Sequence, residues 1–298
     1  MRTYPFPYPA DPRMVYIKDR PRNSGLTSLR FVGPNRIVCC DFNAKMMYLA
    51  ELTDSGTKII ASVPTIIQDG TPVQTDLMDV NKDGLIVVSN FHQGTQSYFQ
   101  LKGDKLSFVS EMKLTKFVQN HGVRFIPGYD DLLWACYCAQ KNKYNVILNY
   151  KEKKVLHQLE MPERMQDVAF LGPYAVAPAR TDHISNKGPH PGKMYATVYL
   201  FRLPENLYKT PPTLIDTWHG EGHLDAMIEH EGLVYSANQY TDTVDVFGIT
   251  SDERIVQRPS IKGFSMPHGL DIRDDGLLAV TNYGDNSVRL MELAPLAA

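Results

Sequence analysis

The stretch Pro267-His268-Gly269-Leu270-Asp271-Ile272-Arg273-Asp274-Asp275-Gly276-Leu277-Leu278-Ala279-Val280-Thr281-Asn282 reads as a strand, an Asp-Gly turn, a second strand and a closing polar residue. From His268 onward, Asp76-Leu77-Met78-Asp79-Val80-Asn81-Lys82-Asp83-Gly84-Leu85-Ile86-Val87-Val88-Ser89-Asn90 overlays it without a gap. Two landmarks, an opener of the first strand and a closer of the second, recur six times. The openers are Thr27, Asp76, His121, Gln166, Leu224 and His268, at intervals of 49, 45, 45, 58 and 44 residues. The closers are Asp41, Asn90, Tyr137, Arg180, Asn238 and Asn282. A period near 45 residues built from strands predicts an all-β chain, a six-bladed β-propeller with one four-stranded blade per repeat.

A third strand follows each closer, and a more polar fourth follows all but the last. Residues 14–18 form an orphan strand ahead of the first copy, and the economical prediction is that this strand completes the sixth blade and closes the ring. Closure removes the two sheet edges that an open array would leave exposed. Residues 1–298 are thus expected to be one propeller domain, with the proline-rich segment 4–12 extended along its outside.

A hydrophobic content of 43%, with 16 Tyr and 12 Phe, is ample to fill the spaces between packed sheets. A formal net charge of −2 gives no electrostatic case for nucleic acid or an anionic membrane. No apolar run approaches the ~18 residues of a membrane helix, and the first residues lack the apolar core of a signal peptide. A soluble, cytoplasmic protein is expected. The adjacent Cys39 and Cys40 point to opposite faces of a strand, and Cys136 and Cys138 have neither zinc-knuckle nor redox spacing. All four are expected to be small buried fillers, with Cys138 the candidate ligand if one exists.

In a propeller the first strand of each blade lines the axis and the second runs antiparallel beside it. Openers and closers therefore ring one mouth. His121 and His268 hold matching openings, each followed by Gly, and His223 lies one place before its blade's opener. With Asp76 these imidazoles compose a donor set for a divalent ion, zinc, iron, manganese or calcium. Arg180 is an anchor for a substrate carboxylate or phosphate, with an ion pair to Asp167 or Asp41 as its structural alternative. Tyr137 and Asp41 are candidates for proton handling, and Asn90, Asn238 and Asn282 for substrate contacts, although Asn and Asp also cap strand ends in most folds. The polar Gly/Pro-rich insertion 181–193, directly after Arg180, reads as a flap over the pocket.

The quoted repeat resembles that of NHL-repeat propellers and of the gluconolactonase/senescence-marker superfamily, a likeness that covers the six-copy frame. The resemblance implies a divalent cation at the axial mouth on a Glu, Asn and Asp set; Asn120, Asp76 and Asp225 fall near comparable places, and Thr27 stands where the first-blade Glu would be. Peptidyl-amidoglycolate lyase, a second relative by resemblance, uses His at strand openings to hold zinc, with Tyr and Arg nearby. His121, His223, His268, Tyr137 and Arg180 are similar in kind, but the His-bearing blades do not alternate as in that pattern.

Two function classes follow. One is metal-assisted hydrolysis or lyase chemistry on a small polar or anionic substrate. The other is a non-catalytic propeller that binds a ligand or docks a protein; no basic or apolar surface run advertises such a face. The oligomeric state is not legible in the sequence.

Overall fold

A computed structural model describes residues 1–6, 14–17, 20–22, 25–114, 117–139, 142–180 and 194–294. Six antiparallel sheets stand around one axis as a six-bladed β-propeller. Blade one is Leu26–Gly33, Arg36–Asp41, Met46–Thr53 and Gly56–Pro64, and blade two is Thr75–Val80, Leu85–Asn90, Thr95–Lys102 and Lys105–Lys113. Blade three is Asn120–Phe125, Leu132–Ala139, Asn142–Asn149 and Lys154–Glu160. Blade four breaks its first strand into Arg164–Met165 and Ala169–Leu171 before Tyr174–Arg180, Tyr195–Arg202 and Thr213–Glu221. Blade five is Leu224–His230, Leu233–Asn238, Thr243–Ile249 and Ile255–Lys262. Blade six takes Pro267–Ile272, Leu277–Asn282 and Ser287–Glu292 from the end of the chain. Among the described residues there is no helix, and hence none long and apolar enough to cross a membrane.

The second strands, such as Leu85-Ile86-Val87-Val88, carry β-branched and apolar residues on both faces because a neighbouring blade covers each face. Val87, Tyr98, Phe117, Leu133 and Tyr137 fill the seam between blades two and three. Trp134, Ile147, Tyr199 and Phe201 fill the next. Fourth strands face solvent and alternate, as in Gly56–Pro64.

The ring closes differently from the expectation. Arg2–Pro5 supplies the fourth strand of blade six, pairing antiparallel with Ser287–Glu292 so that Tyr4 stands opposite Val288. Met14–Ile17 instead pairs with Arg20–Arg22 in a separate two-stranded sheet. The side chains of residues 4–6 explain the choice. Tyr4 and Phe6 are buried in the core of blades six and one, and Phe6 meets Tyr48 edge-to-face at 5.4 Å. Pro5 cannot donate to a further strand, which an outermost strand does not require. Thus residues 4–6 run inward against the core, rather than along the outside; residues 7–13 lie outside the described set.

Candidate functional site

Every inner strand but that of blade four begins the same way. One residue pairs with the closer, then the register slips at a bulge. Leu26 pairs with Asp41, Thr75 with Asn90, Asn120 with Tyr137, Leu224 with Asn238 and Pro267 with Asn282. The residue after each pair falls in the bulge, and in blades two, three, five and six its side chain meets the others near the axis, as bulges re-aim side chains. Those residues are Thr27, Asp76, His121, Asp225 and His268. Blade five is therefore shifted by one from the expected opener, away from His223: Asp225, not Leu224, is the ring member.

His121 and His268 are held alike. His121 Nδ1 lies 2.9 Å from the Gln166 carbonyl oxygen of the following blade, and His268 Nδ1 lies 2.6 Å from that of Thr27. A carbonyl only accepts, so each Nδ1 carries the proton and each Nε2 faces the axis. The glycines after them permit this approach. A Cβ on Gly269 would sit 2.6 Å from the Thr27 oxygen and 2.7 Å from Ser28 Cα, and one on Gly122 would sit 2.8 Å from Asp167 Cα. The His268 ring also packs on Tyr283 at 4.4 Å.

The inward nitrogens meet two carboxylates. His121 Nε2 is 3.3 Å from Asp76 Oδ2 and 3.3 Å from Asp225 Oδ1. His268 Nε2 is 3.4 Å from Asp76 Oδ1 and 3.8 Å from Asp225 Oδ1. All four residues are buried. Burial would lower the His121 pKa, but Asp76 and Asp225 outweigh it and raise it. Burial would raise that of Asp225, but His223 and His268 hold it well below the carboxylate range. His223 reaches the cluster through Asp225, its Nε2 3.5 Å from Oδ2, and it also hydrogen-bonds to Arg180. Burial, together with Arg180, brings His223 down to about 4. Gln239 donates to Asp225 Oδ2.

Asp76, His121 and His268 present ligand atoms within 4.8 Å of one another and could hold a metal ion. Asp76 Oδ1 and Asp225 Oδ1 accept no hydrogen bond of ordinary geometry among the described residues and face His268 Nε2 and His121 Nε2 at 3.4 and 3.3 Å, which leaves them able to meet a cation. The donor set fits a divalent ion.

The structure brings His121, His268, Asp76, His223 and Arg180 together but turns the other candidates to local work. Tyr137 OH accepts from Gln96 at 2.8 Å in the blade two–three seam, and burial pushes its pKa up. Asp41 Oδ1 accepts from the amides of Asn43 and Ala44 at 2.9 Å each, closing its own turn. Asn90 donates to Thr95 and Ser97, and Asn282 accepts from the Ser265 amide. Asn238 accepts from the His223 amide at 3.1 Å, so it positions the site indirectly. The four cysteines, Cys138 included, are buried and in no disulfide. The insertion 181–193 lies outside the described residues.

Three residues further down the inner strands, ~10 Å along the axis, stands a second charged layer. Arg30 Nε donates to Asp79 at 3.1 Å, and Arg124 donates to Asp167 through both Nε and Nη2. Asp79 accepts from the Phe125 amide, Asp167 from Met227 and Asp271 from Phe31, so each carboxylate ties its blade to the next. The expected Arg180–Asp167 alternative is thus replaced by Arg124–Asp167. The signal was present in sequence: Arg30, Asp79, Arg124 and Asp271 each follow their opener by three.

No protein-family model and no curated protein sequence matches the chain. Solved structures do. A 6-phosphogluconolactonase-like protein from Bacteroides uniformis superposes with a TM-score of 0.58 at 11% identity, over 89% of this chain and 80% of its own. Virginiamycin B lyase from Staphylococcus aureus gives 0.54 at 12%, over 91% and 96%. A chain of the mitotic checkpoint complex gives 0.62 at 7%, over 91% and 77%. At such identities the likeness shows the fold alone, and this chain is a six-bladed β-propeller whose structural neighbours include lactonase-like and lyase propellers.

Proposed function

We propose that the protein is a metal-assisted hydrolase or lyase acting on a small anionic substrate at the axial mouth. The observation that carries the reading is the convergence of Asp76, His121 and His268 from three blades onto one buried point, each imidazole locked by a carbonyl of the next blade. A divalent cation bound there supplies Lewis-acid polarisation of a carbonyl or an activated water. The protein's own groups do the rest. Asp76, His121 and His268 hold the ion, and their burial keeps bulk water from competing for it. Arg180, beside His223, binds and orients a carboxylate or phosphate of the substrate. The near-zero net charge favours a small molecule over nucleic acid as partner.

The test is elemental analysis of protein purified without a histidine tag, followed by a screen of anionic lactones, esters and lyase substrates. One divalent ion per chain is expected, lost in His121→Ala and in His268→Ala. Turnover should vanish with a chelator, and Arg180→Ala should raise KM at least ~10-fold, in line with loss of a charge-assisted contact. Protein that carries no ion, and whose thermal stability does not change when divalent ions are added, would instead be a non-catalytic binding propeller.

A further inference from the structure

We propose that the axial cluster is a four-donor transition-metal site in which Asp225 is the fourth ligand, with Gln239 holding Asp225 and His223 standing behind it rather than on the ion. The inference rests on the metal reading above and narrows it to an ion class and a ligand set.

Spacing is the first ground. An ion about 2.0–2.1 Å from each of four ligands in a tetrahedron keeps those ligands about 3.3–3.4 Å apart. His121 Nε2 lies 3.3 Å from Asp225 Oδ1, and Asp76 meets the two imidazoles with different oxygens, Oδ2 3.3 Å from His121 Nε2 and Oδ1 3.4 Å from His268 Nε2, so one of them would have to turn to the ion. The fourth separation, His268 to Asp225, is 3.8 Å and would close slightly around an ion.

Satisfaction is the second. Asp225 divides its two oxygens. Oδ2 accepts from Gln239 and faces His223, whereas Oδ1 faces both imidazoles, 3.3 Å from His121 Nε2 and 3.8 Å from His268 Nε2, with no hydrogen bond of ordinary geometry among the described residues. A fully buried carboxylate oxygen without a donor is costly unless a cation meets it. His223 Nε2 is engaged by Arg180, so that lone pair is already taken, and it stands 3.5 Å from Asp225 Oδ2.

Donor chemistry is the third. Two imidazole nitrogens suit zinc, cobalt or iron, whereas calcium takes six to eight oxygens and magnesium a near-octahedral oxygen set.

Chelator-stripped, untagged protein is titrated with Co(II), Zn(II), Ca(II) and Mg(II), following the visible spectrum for cobalt and thermal stability for all four. Zinc and cobalt should bind one per chain, calcium and magnesium at least ~100-fold more weakly. The cobalt adduct should show the intense bands of a four-coordinate ion. Asp225→Asn should weaken zinc by more than ~100-fold and change the cobalt spectrum, while His223→Gln costs about tenfold and leaves the spectrum in place. Calcium or magnesium binding as tightly as zinc, or an Asp225→Asn protein with unchanged affinity and spectrum, overturns this assignment and leaves the metal reading standing. Binding of no ion overturns both. Should Asp225→Asn not fold, the wild-type cobalt spectrum decides: a pale six-coordinate spectrum overturns the four-donor set, and an intense one supports it.

Discussion

Gly269 does more for the site than its lack of a side chain suggests. It lets the inner strand of blade one come close enough for the Thr27 carbonyl to hold His268 Nδ1 at 2.6 Å. Gly269→Ala would press a methyl against backbone atoms that cannot swing aside. It should destabilise the fold by about 1–3 kcal/mol, measured by urea unfolding, and weaken metal affinity at the same time. A neutral change at either readout would mean that the blades have slack here. The cysteines make a second case at this scale. Burial pushes the Cys40 thiol up to about 12, and Cys39 and Cys136 rise for the same reason. The reactive thiolate is therefore almost absent at pH 8. A thiol reagent should label no more than a trace of native protein and four thiols per chain after denaturation.

Among the elements, the inner strands carry the strongest test. Arg124 is buried and meets Asp167 with two nitrogens, so Arg124→Ala would strip a buried carboxylate of blade four of both guanidinium hydrogen bonds. A loss of about 3–5 kcal/mol is expected by denaturant unfolding, and Arg124→Met with Asp167→Leu should regain much of it. How far this layer and the site above it were legible depends on what each residue leaves in the sequence. Asp-Gly turns at Asp83-Gly84 and Asp275-Gly276 pin the strand ends, so His121, His268 and Asp76 could be placed on one rim. The bulge at Leu224 could not be seen, because an added residue leaves the apolar pattern of Leu224-Asp225-Ala226-Met227 readable in two registers. For closers such as Asn90 and Asn282 the sequence leaves the role open for the opposite reason: an amide that bonds within its own blade and one that faces a substrate look alike in sequence.

At the scale of the whole ring, the latch is the weak point. Residues 14–17, Met-Val-Tyr-Ile, look more strand-like than Arg-Thr-Tyr-Pro, yet the latter close the ring through the packing of Tyr4 and Phe6. Strand propensity yields to burial here. Phe6→Ala should cost about 3 kcal/mol in urea unfolding. Removing residues 1–6 should leave Ser287–Glu292 as a bare edge, seen as concentration-dependent association by size-exclusion chromatography. The pairing of Arg2 with Leu290 spans 288 positions. During synthesis the segment that fastens the circle emerges ahead of the six blades and must wait until Ser287–Glu292 has been made. Blade six thus completes last of the six, and the axial cluster, which needs His268 beside Asp76, matures only once that blade's inner strand is in place.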